Sequence, residues 1–432
     1  MLSTKVETPP VSAAAHRASF FRQSGWLMFA TIAGGLFMTA MHFLSKAKAL
    51  PEAEYAQFGV FLAVAMFIPS MPLQMVLAQQ TARSLALHRE RELSGLIRAA
   101  WLWTFLLWLA AAVVVLLFQG TILAQWKITD PAALWLTLPV LLFTTWLPMF
   151  YGVLQGQQNF LWMGWSMIAH GFGRLAIAAF AVLALQYRAP GMMAGMLGGM
   201  LIALVIAIWP TRSLWLAPPQ PFEWHSLLRQ VIPLMLGFGA YQFLLTADTM
   251  FVKAWFSEET SAFYVSAGTL ARASMWLVGP LAAVMFPKLV HASARAEKTN
   301  LLGVVLVGTA VLAGGGAMGL WLLGPWVVRF MFKPSYVEAA STLLPWYAWA
   351  VVPLAMANVL LNNLLAHSLF KVVPALCALV VAYAVALTQF NDSPVTVIKT
   401  LTVCNTLLLV ICAWFTWGVK AKGPGDNGRA AA

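Results

Sequence analysis

Charged residues interrupt otherwise apolar stretches at three positions, Arg174, Asp248 and Arg272. A charged side chain at the centre of a membrane segment costs at least ~2.5–3.5 kcal/mol, so it is retained where it is paired or faces a watery cavity. A guanidinium stays charged at any working pH and binds phosphate oxygens through two parallel hydrogen bonds. Arg174 and Arg272 therefore have the chemistry of an anion-binding cavity, and each lies about 13 residues inside its apolar run, near the middle of a membrane.

Asp248 has two possible roles that the sequence leaves open. Fewer residues separate Asp248 from the polar turn at 257–260 than separate Arg272 from it. At the rise of an α-helix, the depths of Asp248 and Arg272 in the membrane differ by roughly 7 Å. That offset is within reach of a long side chain, and a buried pair of this kind is often structural. Alternatively, Asp248 binds a coupling proton or sodium ion. Apart from this possible coupling ion, no cofactor and no metal site is predicted.

Two histidines accompany these charges. His170 precedes Arg174 by four residues, so both lie on one face of a helix. His170 is therefore predicted to line the same cavity and bind substrate; the alternative is a histidine whose ring is satisfied in the protein core. His42 lies close to the outer end of the first apolar run. We expect it to be an interfacial polar residue.

Polar amides collect near the ends of two further apolar runs. Gln155 and Gln157 follow the fourth run, and Asn358 and Asn362 end the tenth. They are predicted to form a gate at the inner end or to contact sugar hydroxyls. The alternative is hydrogen bonding between helices, which contributes ~0.6 kcal/mol on average in membranes.

The composition predicts an all-α polytopic membrane protein. Of 432 residues, 61% are hydrophobic and 9% are charged, whereas soluble domains are roughly 25% charged. A membrane span needs about 20 mostly apolar residues. Twelve runs qualify, at 25–45, 56–79, 98–119, 133–154, 161–186, 190–209, 229–253, 261–286, 300–322, 338–361, 370–389 and 397–418.

Positive charge sets the predicted orientation. With both termini in the cytoplasm, Lys and Arg are about twice as frequent in the inner segments as in the outer loops. The first apolar run also begins too late for a secretory signal, so residues 1–24 are predicted to be a cytoplasmic tail. Most of the formal net charge of +12 then lies in the inner segments, against anionic lipids of the inner leaflet. It does not indicate a nucleic-acid partner.

The two halves of the chain repeat the same order of features. When His42 is aligned with Asp248, the acidic turn at 51–60 falls on 257–266 and Pro139 falls on Pro345. Six spans per half is an even number, so both halves run in the same direction, as parallel repeats do. We predict an N-terminal six-helix lobe, a Pro-rich cytoplasmic linker in which Pro210, Pro218, Pro219 and Pro221 break any helix, a C-terminal six-helix lobe and a cytoplasmic tail. Their ranges are 25–209, 210–228, 229–418 and 419–432.

Sequence motifs of enzymes are missing. No nucleotide-binding loop of the GxxxxGKS type and no HExxH or GxSxG motif occurs. The three cysteines lie in apolar runs without metal-ligand or disulfide spacing. A membrane-embedded glycosyltransferase or polymerase would usually need paired acidic residues or a metal site in a sizeable loop, and the loops here are short. We therefore expect a transporter and not an enzyme.

Four stretches resemble the polysaccharide-transporter branch (O-antigen or oligosaccharide flippase-like) of the multidrug/oligosaccharidyl-lipid/polysaccharide (MOP) flippase superfamily. They are LPEAEYAQFGVF at 50–61, YGVLQGQQNF at 151–160, TADTMFVKAWFSEETSAFYVSAGTLAR at 246–272 and VMFPKL at 284–289. The resemblance implies twelve transmembrane helices in two lobes around a central cavity, with alternating access. It also implies transport of lipid-linked oligosaccharides from the inner to the outer leaflet, as part of polysaccharide or lipopolysaccharide biosynthesis.

Two transport functions remain open on these grounds. The first is a flippase for a lipid-linked, anionic glycan, acting as a monomer in the inner membrane of a bacterium. The alternative is a cation-coupled multidrug or metabolite antiporter of the same fold, since the drug-extrusion branch uses acidic residues for sodium or proton coupling. Arg174 and Arg272 against the single buried carboxylate of Asp248 favour an anionic substrate.

Overall fold

The protein is described by a computed structural model covering residues 13–273 apart from 129, 221 and 223, together with 275 and 301–418. This described part contains helices and connecting turns and no β-strand. Its regular elements are long because the backbone of an apolar segment must satisfy its own hydrogen bonds in lipid. The predicted class, an all-helical polytopic chain, is confirmed.

Eight α-helices form the first half of the chain. They are α1 Ala13–Ala40, α2 Glu52–Phe67, α3 Met71–Ala86, α4 Glu90–Leu117, α5 Gln119–Gln125, α6 Ala132–Gly156, α7 Phe160–Ala179 and α8 Arg188–Leu216. The described part of the second half adds six more. They are α9 Trp224–Trp255, α10 Glu258–Ala273, α11 Leu301–Met331, α12 Val337–Ala366, α13 Val373–Gln389 and α14 Pro394–Ala413.

Eleven helical segments of the described residues are long and apolar enough to cross a membrane. The predicted eighth span, 261–286, corresponds to α10, of which the described helix ends at Ala273. The rest of that span, the VMFPKL stretch at 284–289 and the predicted tail at 419–432 lie outside the described residues. Helical backbone begins at Ala13, within the predicted 1–24 tail.

The second predicted span, 56–79, is not one continuous helix. α2 ends at Phe67 and α3 begins at Met71, and Ile68 between them has an extended backbone (ψ 118°). Pro69 explains the break, because the residue before a proline is disfavoured in the α region. Residues 68–70 therefore form a short irregular segment between α2 and α3, and this segment lines a cavity.

Pro210 does not break the sixth helix, contrary to the prediction for 210–228. α8 continues through Pro210 as far as Leu216. A proline removes one backbone hydrogen bond, a loss that packing against neighbouring membrane helices can offset. The helix instead ends before Pro218, where Ala217 is extended (ψ 149°). α9 in turn begins at Trp224, before the predicted boundary at 229.

The beginning of this linker is held against α4. The hydroxyl of Ser94 donates to the carbonyl of Ala217 at 2.7 Å, and Arg98 Nε donates to the carbonyl of Trp215 at 2.7 Å. The backbone amide of Gln220 donates to the carbonyl of Arg91 at 3.0 Å. The bonds from Ser94 and Arg98 satisfy carbonyls at the end of α8 that have no intrahelical partner.

Helices pack mainly within their own half. In the first half, α7 packs against α1 and α8, and α6 packs against α3 and α8. In the second half, α12 packs against α10, α11 and α14, and α9 packs against α13 and α14. The main packing between halves is of α2 against α9 and α10, with α3 also against α9.

Gly59 allows close packing of helices where the two halves meet. A Cβ built at Gly59 of α2 would overlap the side chain of Val265 of α10. Glycine therefore allows the two helices to approach closely, as small residues do at helix contacts in membranes.

Candidate functional site

A cavity of about 420 Å³ lies at the seam between the two halves. Its walls come from the end of α1, from α2, α6, α7 and α8, and from α9 and α10 of the second half. The break between α2 and α3 contributes Ile68 and Ser70. The polar residues important below are His42, His170, Arg174, Gln242, Thr249 and Arg272.

Arg174 lines this cavity from α7 and is only 6% exposed. Its Nε donates to the thioether sulfur of Met41 at 3.3 Å, and a thioether is a weak acceptor. Among the described residues, no carboxylate forms an ion pair with it. The guanidinium is therefore a buried cation that faces the cavity without a counter-ion in this part of the chain.

Glycines of α8 hold Arg174 in position. A Cβ built at Gly199 would lie 2.6 Å from the carbonyl oxygen of His170 and 2.8 Å from Cβ of Arg174. A Cβ at Gly195 would lie 2.7 Å from the carbonyl oxygen of Arg174. The two backbones thus touch at the turn that carries His170 and Arg174, which fixes where that turn lies relative to α8.

Arg272 lines the cavity from the last turn of α10, but its guanidinium is heavily engaged. Nε donates to the carbonyl of Leu245 at 2.9 Å, and Nη2 donates to Oδ1 of Asp248 at 2.8 Å. Nη2 also contacts Thr249 Oγ1 at 3.0 Å and the hydroxyl of Tyr347. The structure therefore places Arg272 in an ion pair with Asp248, one of the two arrangements that the sequence left open.

Asp248 is 0% exposed and does not line the cavity. Besides Arg272, its carboxylate accepts hydrogen bonds from the hydroxyl of Tyr264 at 2.8 Å and from the hydroxyl of Tyr347. Donors from α10 and α12 thus surround both carboxylate oxygens. The two tyrosines were missed in the sequence because a tyrosine in an apolar run resembles any other aromatic residue.

Both histidines line the cavity. His170 is half-buried, and its Nε2 atom is buried without a hydrogen-bond partner among the described residues. His42 is buried and its Nδ1 lies 2.8 Å from the hydroxyl of Tyr55. His42 is thus buried within the segment Met41–Lys46, and its predicted place near the membrane interface stays a prediction.

The predicted amides lie away from this cavity. Gln155 accepts from Nε2 of Gln74 at 3.2 Å, which joins α6 to α3. Nδ2 of Asn362 donates to the carbonyl of Asn358 at 2.8 Å. Oε1 of Gln157 is buried without a partner in the part of the chain described. None of these four residues is among those that line the cavity, and their predicted role as a gate stays a prediction.

The charge of the cavity wall is uneven. Because Asp248 compensates Arg272, the remaining formal charge is that of Arg174, on the side of the first half. The second-half wall offers neutral polar groups instead. Thr246, Thr249 and Thr269 line it, as does Gln242, whose Nε2 donates to the carbonyl of Met66 at 2.7 Å across the seam. No cluster of three or more His, Cys, Asp or Glu residues suitable for a metal occurs in the described ranges.

The halves also touch at the predicted outer end. Lys333 Nζ donates to the carbonyl of Leu50 at 2.8 Å, and the hydroxyl of Ser335 donates to Oε1 of Glu52 at 2.9 Å. Lys127 Nζ donates to the carbonyl of Phe256 at 2.8 Å. We refer to these three bonds as the outer contacts.

Comparison with known sequences gives distant relatives. No protein-family model matches the chain. An uncharacterised protein of Mycobacterium tuberculosis is 26% identical over 212 residues, which is 48% of this chain and 48% of that protein. A second from the same organism is 28% identical over 211 residues, with 48% of each covered. The chain therefore spans about half the length of the curated relatives that it matches.

Comparison with solved structures shows the fold. An inward-facing multidrug resistance MATE family transporter of the MOP superfamily aligns with a TM-score of 0.66 and 12% identity, over 91% of this chain and 93% of that one. The lipid II flippase MurJ, inward closed, aligns at 0.69 and 13%, over 92% and 88%. A eukaryotic MATE transporter aligns at 0.67 and 12%, over 92% and 96%. The chain thus has the fold that these membrane transporters share.

Proposed function

We propose that this chain is a flippase that moves a lipid-linked oligosaccharide or polysaccharide precursor from the inner to the outer leaflet. The two sets of helices act as six-helix lobes that alternate in access around the cavity. The chain acts as a monomer in the inner membrane of a bacterium, within the polysaccharide-transporter branch of the MOP superfamily. The fold shared with MATE transporters and with a lipid II flippase supports a transporter.

The observation that carries this proposal is the buried guanidinium of Arg174 in the cavity wall. Lipid-linked glycans carry a phosphate or pyrophosphate, and such oxygens are the ligands that arginine binds best. At about 420 Å³, the cavity is within the size range of small-molecule sites, ~300–1,000 Å³. It has room for the phosphorylated end of the molecule and the sugar next to it.

The alternative is a cation-coupled multidrug or metabolite antiporter, which the MATE likeness supports equally at the level of fold. A cationic drug would need negative charge in the wall. The carboxylate of Asp248 is instead enclosed by Arg272 and two tyrosines, and Arg174 would repel a cation. These contacts favour an anionic substrate.

Reconstitution into liposomes tests the proposal. A labelled polyprenyl-diphosphate oligosaccharide is placed in the membrane, and an impermeant glycosidase in the external buffer reports how much of it reaches the outer leaflet. We expect faster translocation with the protein than in empty liposomes, and at least a ~10-fold slower rate for Arg174→Ala, since a charge-assisted hydrogen bond is lost. Transport of a lipophilic cation against an ion gradient, with no movement of the glycolipid, would instead establish the antiporter. Varying the sodium and proton gradients identifies the coupling ion.

A further inference from the structure

Resting on the proposed function, we infer that the first half alone binds the anionic group of the substrate. Arg174 and His170 form the phosphate subsite, and Arg272, which is paired with Asp248, does not bind the anion. The second-half wall receives the neutral, hydroxyl-bearing part of the substrate. The cavity therefore orients its substrate, with the phosphate towards α7 and the sugar towards α9 and α10.

The first step concerns hydrogen-bonding capacity that is left unused. Among the described residues, the only hydrogen-bond acceptor that Arg174 contacts is the sulfur of Met41, so its Nη1 and Nη2 groups have no protein acceptor there. A guanidinium that is 6% exposed is costly to leave in this state. An oxyanion in the cavity would accept from both Nη groups and supply the missing counter-charge.

The second step concerns the neighbour of Arg174. His170 lies one helical turn away on the same face of α7 and lines the same cavity. Its buried Nε2 atom has no partner in the described part of the chain. An imidazole nitrogen that carries a proton donates to a phosphate oxygen. Arg174 and His170 thus border one cavity, and the Nη groups of Arg174 and Nε2 of His170 have unused hydrogen-bonding capacity among the described residues, which indicates a site for a single ligand group.

The third step removes Arg272 from that site. Its Nε and Nη2 are already used by Leu245, Asp248 and Thr249, and its charge is cancelled by a carboxylate that is 0% exposed. Asp248 already occupies Nη2 and balances the charge that an anion approaching Arg272 would meet. The nearby wall offers hydroxyls and an amide from Gln242, Thr246 and Thr269, which suit sugar hydroxyls.

The test compares removal of the unpaired charge of Arg174 with removal of the ion pair between Asp248 and Arg272. Binding to the purified protein is measured with a fluorescent short-chain prenyl diphosphate, a prenyl monophosphate and the uncharged prenyl alcohol. For Arg174→Gln we expect about 10- to 100-fold weaker binding of both phosphates and unchanged binding of the alcohol. For the charge-neutral double variant Asp248→Asn with Arg272→Gln, we expect phosphate binding within about threefold of the unmodified protein.

Two further variants guard against misfolding as an explanation. Arg174→Lys keeps the positive charge but not the planar guanidinium group. It should therefore bind phosphate more tightly than Arg174→Gln and more weakly than the unmodified protein. His170→Gln keeps a donor and should lose less affinity than His170→Ala.

Inorganic pyrophosphate should compete with the prenyl diphosphate at Arg174 if the site recognises the phosphate itself. Absence of such competition, with the lipid still bound, means recognition of the prenyl chain and overturns the subsite.

The outcomes separate this inference from the proposed function. If the double variant loses phosphate affinity as much as Arg174→Gln does, the subsite assignment is wrong even when the unmodified protein transports glycolipid. If Arg174→Gln alone loses phosphate affinity but the unmodified protein moves no glycolipid, the subsite stands and the flippase function does not.

Discussion

At the scale of residues, three buried charges have different surroundings. Arg174 faces the cavity with a thioether as its acceptor, whereas Asp248 and Arg272 compensate each other and are further bound by Tyr264 and Tyr347. A buried pair with additional hydrogen bonds is stabilising only while both members are present, because removal of one leaves the other uncompensated. This difference leads to a stability prediction for the pair.

We expect Asp248→Asn to destabilise the protein by about 3–5 kcal/mol, since Arg272 then remains buried without a counter-ion. Adding Arg272→Gln should recover part of this loss. Tyr347→Phe should cost less, roughly 1–3 kcal/mol for one hydrogen bond to a charged group. Thermal unfolding of the purified protein in detergent measures all three. Asp392→Asn, the same change at an exposed carboxylate, serves as the control and should shift stability by less than about 0.5 kcal/mol.

Transport measurements on the same variants address the other role of Asp248. An Asp248→Asn protein that melts like the unmodified protein but transports without dependence on the ion gradient would identify Asp248 as the coupling site. A destabilised protein whose residual transport still follows the gradient would instead agree with a structural pair.

At the scale of elements, the close contact of α7 and α8 is what holds the anion subsite. Gly195 and Gly199 bring the backbone of α8 against the turn of α7 that carries Arg174. Such contacts are common where small residues allow membrane helices to approach. A side chain at these positions would have to displace backbone atoms.

Gly199→Ala should therefore lower both stability and phosphate affinity. Its new Cβ would meet the carbonyl oxygen of His170 at 2.6 Å and the amide of Arg174 at 2.7 Å, so α7 has to move away. We expect a loss of about 1–3 kcal/mol, typical of overpacking. Gly319→Ala in α11 is the matched control. No described heavy atom lies within 4 Å of its new Cβ, and it should be neutral or stabilising by about 0.4–1 kcal/mol.

Stability and prenyl-diphosphate affinity should change together in Gly199→Ala. An unchanged melting temperature and affinity would show that α8 does not position Arg174.

At the scale of the whole molecule, the outer contacts join segments that are distant in sequence. Lys333 and Ser335 of the second half bind Leu50 and Glu52 of the first. The cavity lies between the same two halves. If the halves rock around the cavity, these bonds must break whenever the cavity opens at the predicted outer end.

Crosslinking tests this requirement. In a variant whose cysteines Cys377, Cys404 and Cys412 are replaced, Glu52→Cys with Ser335→Cys should be joined by a short bifunctional thiol reagent. We expect the crosslinked protein to bind prenyl diphosphate but to translocate glycolipid at least ~10-fold more slowly, with recovery when the linker is cleaved. As a control, crosslinking Arg91→Cys to Gln220→Cys, which are exposed and join α4 to the linker, should leave transport unchanged. Full transport by the crosslinked pair across the halves would show that they do not separate there.

The composition alone shows that this is a polytopic membrane chain, since so few charges cannot cover a soluble protein of this length. The sequence also identified Arg174, Asp248 and Arg272, because each stands out against an apolar run, and it placed Asp248 within reach of Arg272. It did not predict the end of α8, because a proline at 210 is tolerated where neighbouring helices support the backbone.

Which of these residues meet depends on how the helices pack and could not be predicted from the sequence. Helices that are apolar on all sides carry no amphipathic pattern to indicate which face turns inward. The rotation of each helix is set instead by close contacts, such as those of α8 with α7 and of Gly59 with Val265. Those contacts bring Arg174, His170, His42 and Arg272 to one cavity and leave the four amides outside it. They also enclose Asp248 among tyrosines from α10 and α12. The charge of Arg272 is therefore compensated by Asp248, whereas the charge of Arg174 has no counter-ion among the described residues.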